Sequence, residues 1–137
     1  FYEDGGLAEA WLEVGASSWK ADSTLKASFS NYGKTKVDVF APGYAINSTV
    51  PGSKYEEQSG TSMAAPVVSG VAGIIRSYYP KLSAVQVKEI IMKSCVPFNQ
   101  EVIVEEKSNT LKLNFKNLSV TGGIVNVYEA LKLAETY

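Results

Sequence analysis

The sequence contains no histidine among its 137 residues. Histidine is the side chain that most often serves as a general base near neutral pH. Its absence excludes any mechanism in which this chain alone supplies an imidazole base or an imidazole metal ligand. Cysteine is almost as scarce, because Cys95 is the only one, and this excludes an intrachain disulfide and a multi-cysteine metal site. The apolar context of Cys95 predicts a buried small hydrophobic residue rather than a redox thiol.

Neither sign of charge is in excess. Thirteen basic and fourteen acidic side chains give a net charge of −1. A nucleic acid or an anionic membrane normally requires a basic surface, so we expect neither as a partner. The acidic residues show no metal-ligand spacing, and we predict no metal and no cofactor. With 45% hydrophobic and 20% charged residues, the composition is typical of a globular domain.

A long apolar run is also missing. The uncharged stretch 58–75 comes nearest to one, but it opens on polar residues and contains Pro66, Gly70 and Gly73. It falls short of the roughly 20 predominantly apolar residues that span a bilayer. We therefore predict no membrane span, and a helix in this stretch that is buried in a large protein core.

The elements predicted along the chain alternate between short apolar runs and helical patterns, which favours an α/β fold. Because no repeat or linker interrupts them, we interpret residues 1–137 as one structural unit. The chain begins at Phe1 and its methionines are Met63 and Met92, from which we expect an upstream segment to have been removed. The predicted strands are 11–16, 37–40 and 45–50, the predicted helices are 62–79, 83–93 and 126–134, and a hairpin insert is predicted at about 101–115.

The residues that suggest chemistry are 60–66, with the sequence GTSMAAP. A serine in the first turn of a helix, such as Ser62, lies beside free backbone N–H groups and the positive end of the helix dipole, which can stabilise an oxyanion. Gly60 is expected to permit a tight approach, and Pro66 is expected in the first turn, where its missing N–H costs least. The alternative is that Thr61 or Ser62 is only the N-cap of the helix.

The segment GTSMAAP followed by VVSGVAGII resembles the nucleophile segment of the subtilisin-like serine proteases, the subtilases. Upstream, the segments VGASS, ASFSNYG, VDVFAPG and 46–62 stand in the order found in that family. Downstream, PKLSAVQVKEII and residues 122–126 resemble its two later helices. The resemblance covers most of the chain.

The resemblance implies a three-layer α/β fold with a mostly parallel sheet and helices on both faces, of which this chain is the C-terminal part. It implies that Ser62 is the nucleophile and that its own N–H holds the oxyanion. Thr61 would support that hole, Met63 would border the leaving-group side, and Gly60 and Pro66 would shape the turn. The catalytic aspartate, the histidine and the oxyanion asparagine would belong to segments before Phe1.

The function implied is a serine endopeptidase that hydrolyses peptide bonds of a polypeptide substrate through an acyl-enzyme on Ser62. The chain alone is expected to be inactive because it lacks histidine. Its expected partner is the missing N-terminal half, and we expect the isolated chain to self-associate through an open sheet edge and exposed apolar surface. The resemblance also implies a secreted or cell-surface protein.

Two alternatives remain open. One is a non-catalytic subtilase-like binding or structural module, and the other is a small α/β domain in which Ser62 only caps a helix. Two surface features complete the expectations. The hairpin insert is interpreted as a surface decoration, with a substrate-binding role as the alternative. Glu56 and Glu57 are interpreted as solvated charges on a turn, with neutralisation of basic substrate side chains as the alternative.

Overall fold

The computed structural model describes residues 8–106 and 109–137 of the chain. The start of the chain at Phe1 and the middle of the predicted hairpin connection, Lys107 and Ser108, lie outside the described residues. The elements within the described ranges are β1 (Val14–Ser17), β2 (Val39–Pro42), β3 (Ile46–Val50), β4 (Lys54–Gln58), α1 (Thr61–Tyr78), α2 (Ala84–Lys93), β5 (Val96–Pro97), β6 (Glu101–Glu106), β7 (Asn109–Asn114), a 3-10 helix (Phe115–Asn117), β8 (Gly123–Ile124) and α3 (Val127–Ala134).

The central sheet has four strands in the order β1-β2-β8-β5. The pairs β1-β2 and β2-β8 are parallel, and β5 pairs antiparallel with β8. Val39, Phe40 and Ala41 of β2 are all fully buried, as expected for a parallel strand covered on both faces. The predicted α/β class with a mostly parallel sheet is confirmed.

One face of the sheet is covered by the three α-helices. Ala16, Val39 and Ala41 point to this side and share one hydrophobic cluster with residues of α1, α2 and α3. In α1, the residues facing the sheet are spaced three or four apart, which is the spacing of one helix face. They are Ala64, Val68, Val71 and Ile75. None of the helices in residues 8–106 and 109–137 has the length and hydrophobicity of a membrane span.

The opposite face of the sheet is covered by the hairpin β6-β7 and the 3-10 helix. Phe40 points to this side, and its ring centroid lies 4.9 Å from that of Phe115. Val102 and Val104 of β6 are fully buried in the same cluster, and burial of such a side chain contributes about 1.5–3 kcal/mol. The hairpin itself is confirmed, but its interpretation as a surface decoration is wrong because β6 supplies part of a hydrophobic core.

The helix signals of the second half are confirmed. The Ser83 side chain accepts from the Gln86 N–H while the Gln86 side chain accepts from the Ser83 N–H, so the capping box forms and α2 ends at Lys93 as predicted. The Asn126 side chain accepts from the Glu129 N–H at the start of α3. Each signal depends on residues within one turn, and for this reason local sequence was sufficient.

Two strand predictions need correction. The first strand begins at Val14 rather than at residue 11, because pairing with β2 starts there. Glu56 and Glu57 lie on β4, not on a turn, because residues 46–58 form an antiparallel hairpin. Its turn contains Gly52, with φ of 85°, a backbone conformation that favours glycine.

Candidate functional site

Helix α1 begins at Thr61, and its N-cap is Gly60, which provides no side-chain cap. Thr61 and Ser62 are therefore the first and second residues inside the helix. The alternative in which one of them is the N-cap is contradicted. The reason is tertiary, since the Gly60 N–H donates to the Gly43 carbonyl at 2.8 Å and this contact fixes where the helix starts.

The first turn of α1 carries uncommitted backbone donors. The N–H groups of Met63 and Ala64 both donate to the Gly60 carbonyl, at 3.0 and 3.3 Å. The N–H groups of Thr61 and Ser62 donate to no residue in the described part of the chain. Since free N–H groups at a helix N-terminus attract negative charge, this end of α1 is a local anion-binding environment.

The Ser62 side chain is exposed. Across residues 8–106 and 109–137, its hydroxyl has no hydrogen-bond partner. No titratable group of the described residues is therefore hydrogen-bonded to it. Within the described residues, the hydroxyl therefore lies beside free N–H groups and is bonded to no base.

The close approach predicted for Gly60 lies instead at Gly43. A Cβ atom on Gly43 would be 2.7 Å from the Ala16 Cβ and 2.7 Å from the Gly60 carbonyl oxygen, which is closer than any real contact allows. A Cβ on Gly60 would meet the Met63 sulfur at 3.4 Å, an ordinary contact. Gly43 was missed as a site residue, although its place directly after the buried strand β2 was the available signal.

A second contact joins the same two segments. The Ser59 side chain accepts from the Ala45 N–H at 2.9 Å. The segments 43–45 and 59–60 are thus held together by two hydrogen bonds. Met63 is half-buried, and its sulfur is the atom nearest to a Cβ built on Gly60.

Pro66 lies further along the helix than predicted. Because α1 starts at Thr61, Pro66 is its sixth residue rather than part of the first turn. The N–H that Pro66 lacks is the one that would bond to the Ser62 carbonyl four residues earlier. The prediction that Pro66 lies in the first turn, where its missing N–H costs least, is wrong, since Pro66 removes one bond of the helical ladder.

The structure therefore brings four of the five predicted site residues together. Gly60, Thr61, Ser62 and Met63 form the start of α1, and Pro66 follows about one turn later. In the described part of the chain, no three His, Cys, Asp or Glu residues are grouped as metal ligands would be.

The Cys95 thiol donates to the Ile91 carbonyl at 3.3 Å, and burial raises its pKa to about 11. This thiol is protonated at neutral pH and is a poor nucleophile.

A sequence model described as the subtilase family matches residues 2–121. Among curated proteins, M-protease of Shouchella clausii is 48% identical over 77 residues, which are 56% of this chain and 19% of that protein. Subtilisin E of Bacillus subtilis is 46% identical over 78 residues, 57% of this chain and 19% of that protein. The thermostable alkaline protease of Halalkalibacterium halodurans is 46% identical over 66 residues, 48% of this chain and 18% of that protein. The matched segment is thus less than a quarter of each relative.

Solved structures show the same fold. A chain from a study of the structural basis of subtilase cytotoxin assembly superimposes with a TM-score of 0.70 at 24% identity, covering 90% of this chain and 36% of the other. The A-subunit of an AB5 toxin from E. coli gives a TM-score of 0.69 at 23% identity, covering 90% and 37%. At these identities, the likeness supports the fold alone.

Proposed function

Because the chain belongs to the subtilase family, we propose that it supplies the nucleophile of a serine endopeptidase, with Ser62 as the attacking residue. The Ser62 Oγ attacks the carbonyl carbon of a peptide bond, and its proton passes to a histidine and then to the leaving amine. Water afterwards hydrolyses the acyl-enzyme. The histidine, the aspartate and an oxyanion asparagine come from a segment outside these 137 residues.

The observation that carries this proposal is the state of Ser62 at the start of α1. Its hydroxyl is exposed and its N–H is uncommitted within the described residues. A serine that only capped the helix would have its oxygen bonded to an N–H two or three residues later. The free Ser62 N–H is a donor for the oxyanion, and Thr61 supports this hole.

The neighbouring motif residues have supporting roles. Gly60 and Gly43 fix the position of the first turn through their hydrogen bond of 2.8 Å. Met63, half-buried beside Gly60, borders the side from which the leaving group departs. Pro66 leaves the Ser62 carbonyl without its helical donor and so shapes the start of the helix.

The missing N-terminal half is the proposed partner, and the exposed face of α1 supports it. Gly70 and Gly73 on that face would accept a Cβ with no atom within 4 Å, and Ile74 is 42% exposed. Small residues allow close approach of another layer. At β1, the Ala16 carbonyl accepts from the Ala27 N–H and the Ala16 N–H donates to the Ser30 hydroxyl, so this part of the sheet edge is covered. Self-association of the isolated chain would therefore use the exposed face of α1.

The substrate proposed for the assembled enzyme is a polypeptide, and the location proposed is outside the cell or at its surface. The isolated chain is inert in this proposal, since a serine hydroxyl is a weak nucleophile without an adjacent base. In subtilisin, losing the histidine costs about as much as losing the whole triad. The second candidate, a non-catalytic subtilase-like module, has the same scaffold and differs only in the residues outside this chain.

A fluorophosphonate probe tests the proposal. We expect the full-length protein encoded by the gene to be labelled at Ser62, and the isolated chain to remain unlabelled. Ser62→Ala should abolish labelling, whereas Ser69→Ala should not, because Ser69 is an exposed serine of the same helix whose hydroxyl donates to the Ala65 carbonyl. Absence of labelling in a folded full-length protein would contradict the protease and favour the non-catalytic module. Rapid labelling of the isolated chain would contradict the requirement for an external base.

A further inference from the structure

A cavity of about 380 Å³ lies between the loop 18–28 and the hairpin β6-β7. It is separate from the first turn of α1 and from the motif 60–66. Its lining includes two aromatic residues, one large aliphatic residue, one alanine, three charged residues and four serine or threonine residues. The aromatic, large aliphatic and charged residues are Trp19, Lys20, Lys26, Tyr44, Ile103 and Glu105.

The hairpin forms one wall of this cavity. Because side chains alternate along a strand, Ile103 and Glu105 of β6 lie on the face opposite to the buried Val102 and Val104. The Ile103 N–H donates to the Ser23 carbonyl at 2.8 Å. The Gln100 side chain also donates to the Asp22 carbonyl, at 2.7 Å. Two hydrogen bonds therefore hold the hairpin against the loop beside the cavity.

The two lysines of the cavity are already engaged. Lys26 is 3% exposed, and its Nζ donates to the carbonyls of Ala27 at 2.9 Å and Ser28 at 3.1 Å. Burial lowers the pKa of Lys26, while the Glu105 carboxylate opposes that change. The Lys20 Nζ lies 5.2 Å from the centroid of the Trp19 ring, within cation–π distance.

The cavity lies within reach of Ser62 along the chain contacts already described. Tyr44 directly follows Gly43, whose carbonyl accepts from Gly60, and Ser62 is two residues further. Summing standard backbone distances places the Cα atoms of Tyr44 and Ser62 no more than about 16 Å apart. An extended peptide of roughly five residues spans that distance.

We infer that this cavity is a substrate subsite that takes a large apolar side chain, several residues from the peptide bond cleaved at Ser62. The inference rests on the proposed function and names a specificity determinant for it. An apolar occupant is favoured because the exposed Trp19 and Tyr44 and the half-exposed Ile103 offer ring and aliphatic surface. A charged occupant is disfavoured because the lysines have partners and Glu105 offsets part of their charge.

The test uses the full-length protein and quenched peptides that carry alanine, phenylalanine, lysine or glutamate at each of five positions on both sides of the cleaved bond. We expect phenylalanine to be preferred over alanine by about tenfold in kcat/KM at one position. Trp19→Ala removes a wall, and Ser23→Phe fills the cavity from an exposed position. Either change should reduce the preference to about twofold. Tyr78→Ala is the matched control, since Tyr78 and Trp19 are both 72% exposed and Tyr78 is at the far end of α1.

The fluorophosphonate probe tests the reactivity of Ser62 independently of the subsite. Its labelling of Ser62 should proceed at the wild-type rate in Trp19→Ala, Ser23→Phe and Tyr78→Ala, because the probe does not reach the cavity. A phenylalanine preference that survives both cavity variants would overturn the subsite, and so would a preference for lysine or glutamate that depends on Trp19. Absence of labelling in the wild type would contradict the proposed function and this subsite with it.

Discussion

The contact between Gly43 and Gly60 makes a quantitative prediction for Gly43→Ala. The new methyl group would lie 2.7 Å from the Ala16 Cβ, 2.7 Å from the Gly60 carbonyl oxygen and 3.1 Å from the Ala64 Cβ. Two of these neighbours are the first residues of α1 or its cap, so the start of the helix must move by several tenths of an ångström or more. Overpacking of this kind costs about 1–3 kcal/mol of unfolding free energy. Because a displacement of about 1 Å can cost 10²-fold in rate, we expect labelling of Ser62 to slow by about tenfold or more.

The assay measures urea unfolding and the rate of fluorophosphonate labelling in the full-length protein. Gly33→Ala is the control, because a Cβ there meets the Lys36 side chain at 3.4 Å, an ordinary contact. The control should leave the labelling rate unchanged. If Gly43→Ala labels as fast as the wild type and is equally stable, the claim that this contact positions Ser62 is refuted.

Three further predictions concern the hairpin and the first turn of α1. Val104→Ala should lower the unfolding free energy by about 1–3 kcal/mol in urea denaturation, because Val104 is fully buried. The control is Lys112→Ala, an exposed residue of β7 opposite Ile103 on the other face of the hairpin, which should change it by less than about 0.5 kcal/mol. Equal effects would contradict the hairpin's place in the core. The hydrogen bond to Glu106 raises the pKa of Tyr32 to about 12. Because the pKa is raised, the stabilisation is complete below the ordinary value of 10.0 and is lost as pH rises to about 12. Absorbance titration should show one late-ionising tyrosine that disappears in Tyr32→Phe, and an unchanged titration would refute the bond. Oxidation of Met63 to the sulfoxide adds bulk and polarity beside Gly60 and should lower peptidase turnover; peroxide treatment that oxidises Met63 by mass spectrometry without lowering turnover would show that Met63 does not border the leaving group.

The sequence was most informative where a few neighbouring residues decide the structure. Ser83 and Gln86 form their capping box within one turn, and Asn126 caps α3 in the same way. The start of α1 was different, because it depends on a hydrogen bond from the Gly60 N–H to the carbonyl of Gly43, which is distant in the sequence. Local preference for a serine or threonine cap could not predict that bond, and the position of Pro66 was misjudged for the same reason.

The remaining differences between the predicted and the observed elements also come from contacts between distant parts of the chain. The first bonded pair of β1 and β2 is Val14 with Val39, so each strand begins two or three residues later than its apolar run. The sequence of β6 indicated a strand but not which of its faces is buried, because Val102, Ile103 and Val104 are three apolar residues in a row. The buried face of β6 packs against Phe40, which is far away in the sequence, and against Phe115, which follows the hairpin directly.

The two faces of the sheet are covered by different elements of the chain. The side of the sheet around Phe40 is covered by residues of the hairpin and the 3-10 helix, which share one hydrophobic cluster with it. On the helix side, α1 buries one face and leaves Gly70, Gly73 and Ile74 uncovered. Under the proposed function, the sheet therefore separates a side that this chain covers from a side that a separate segment would complete.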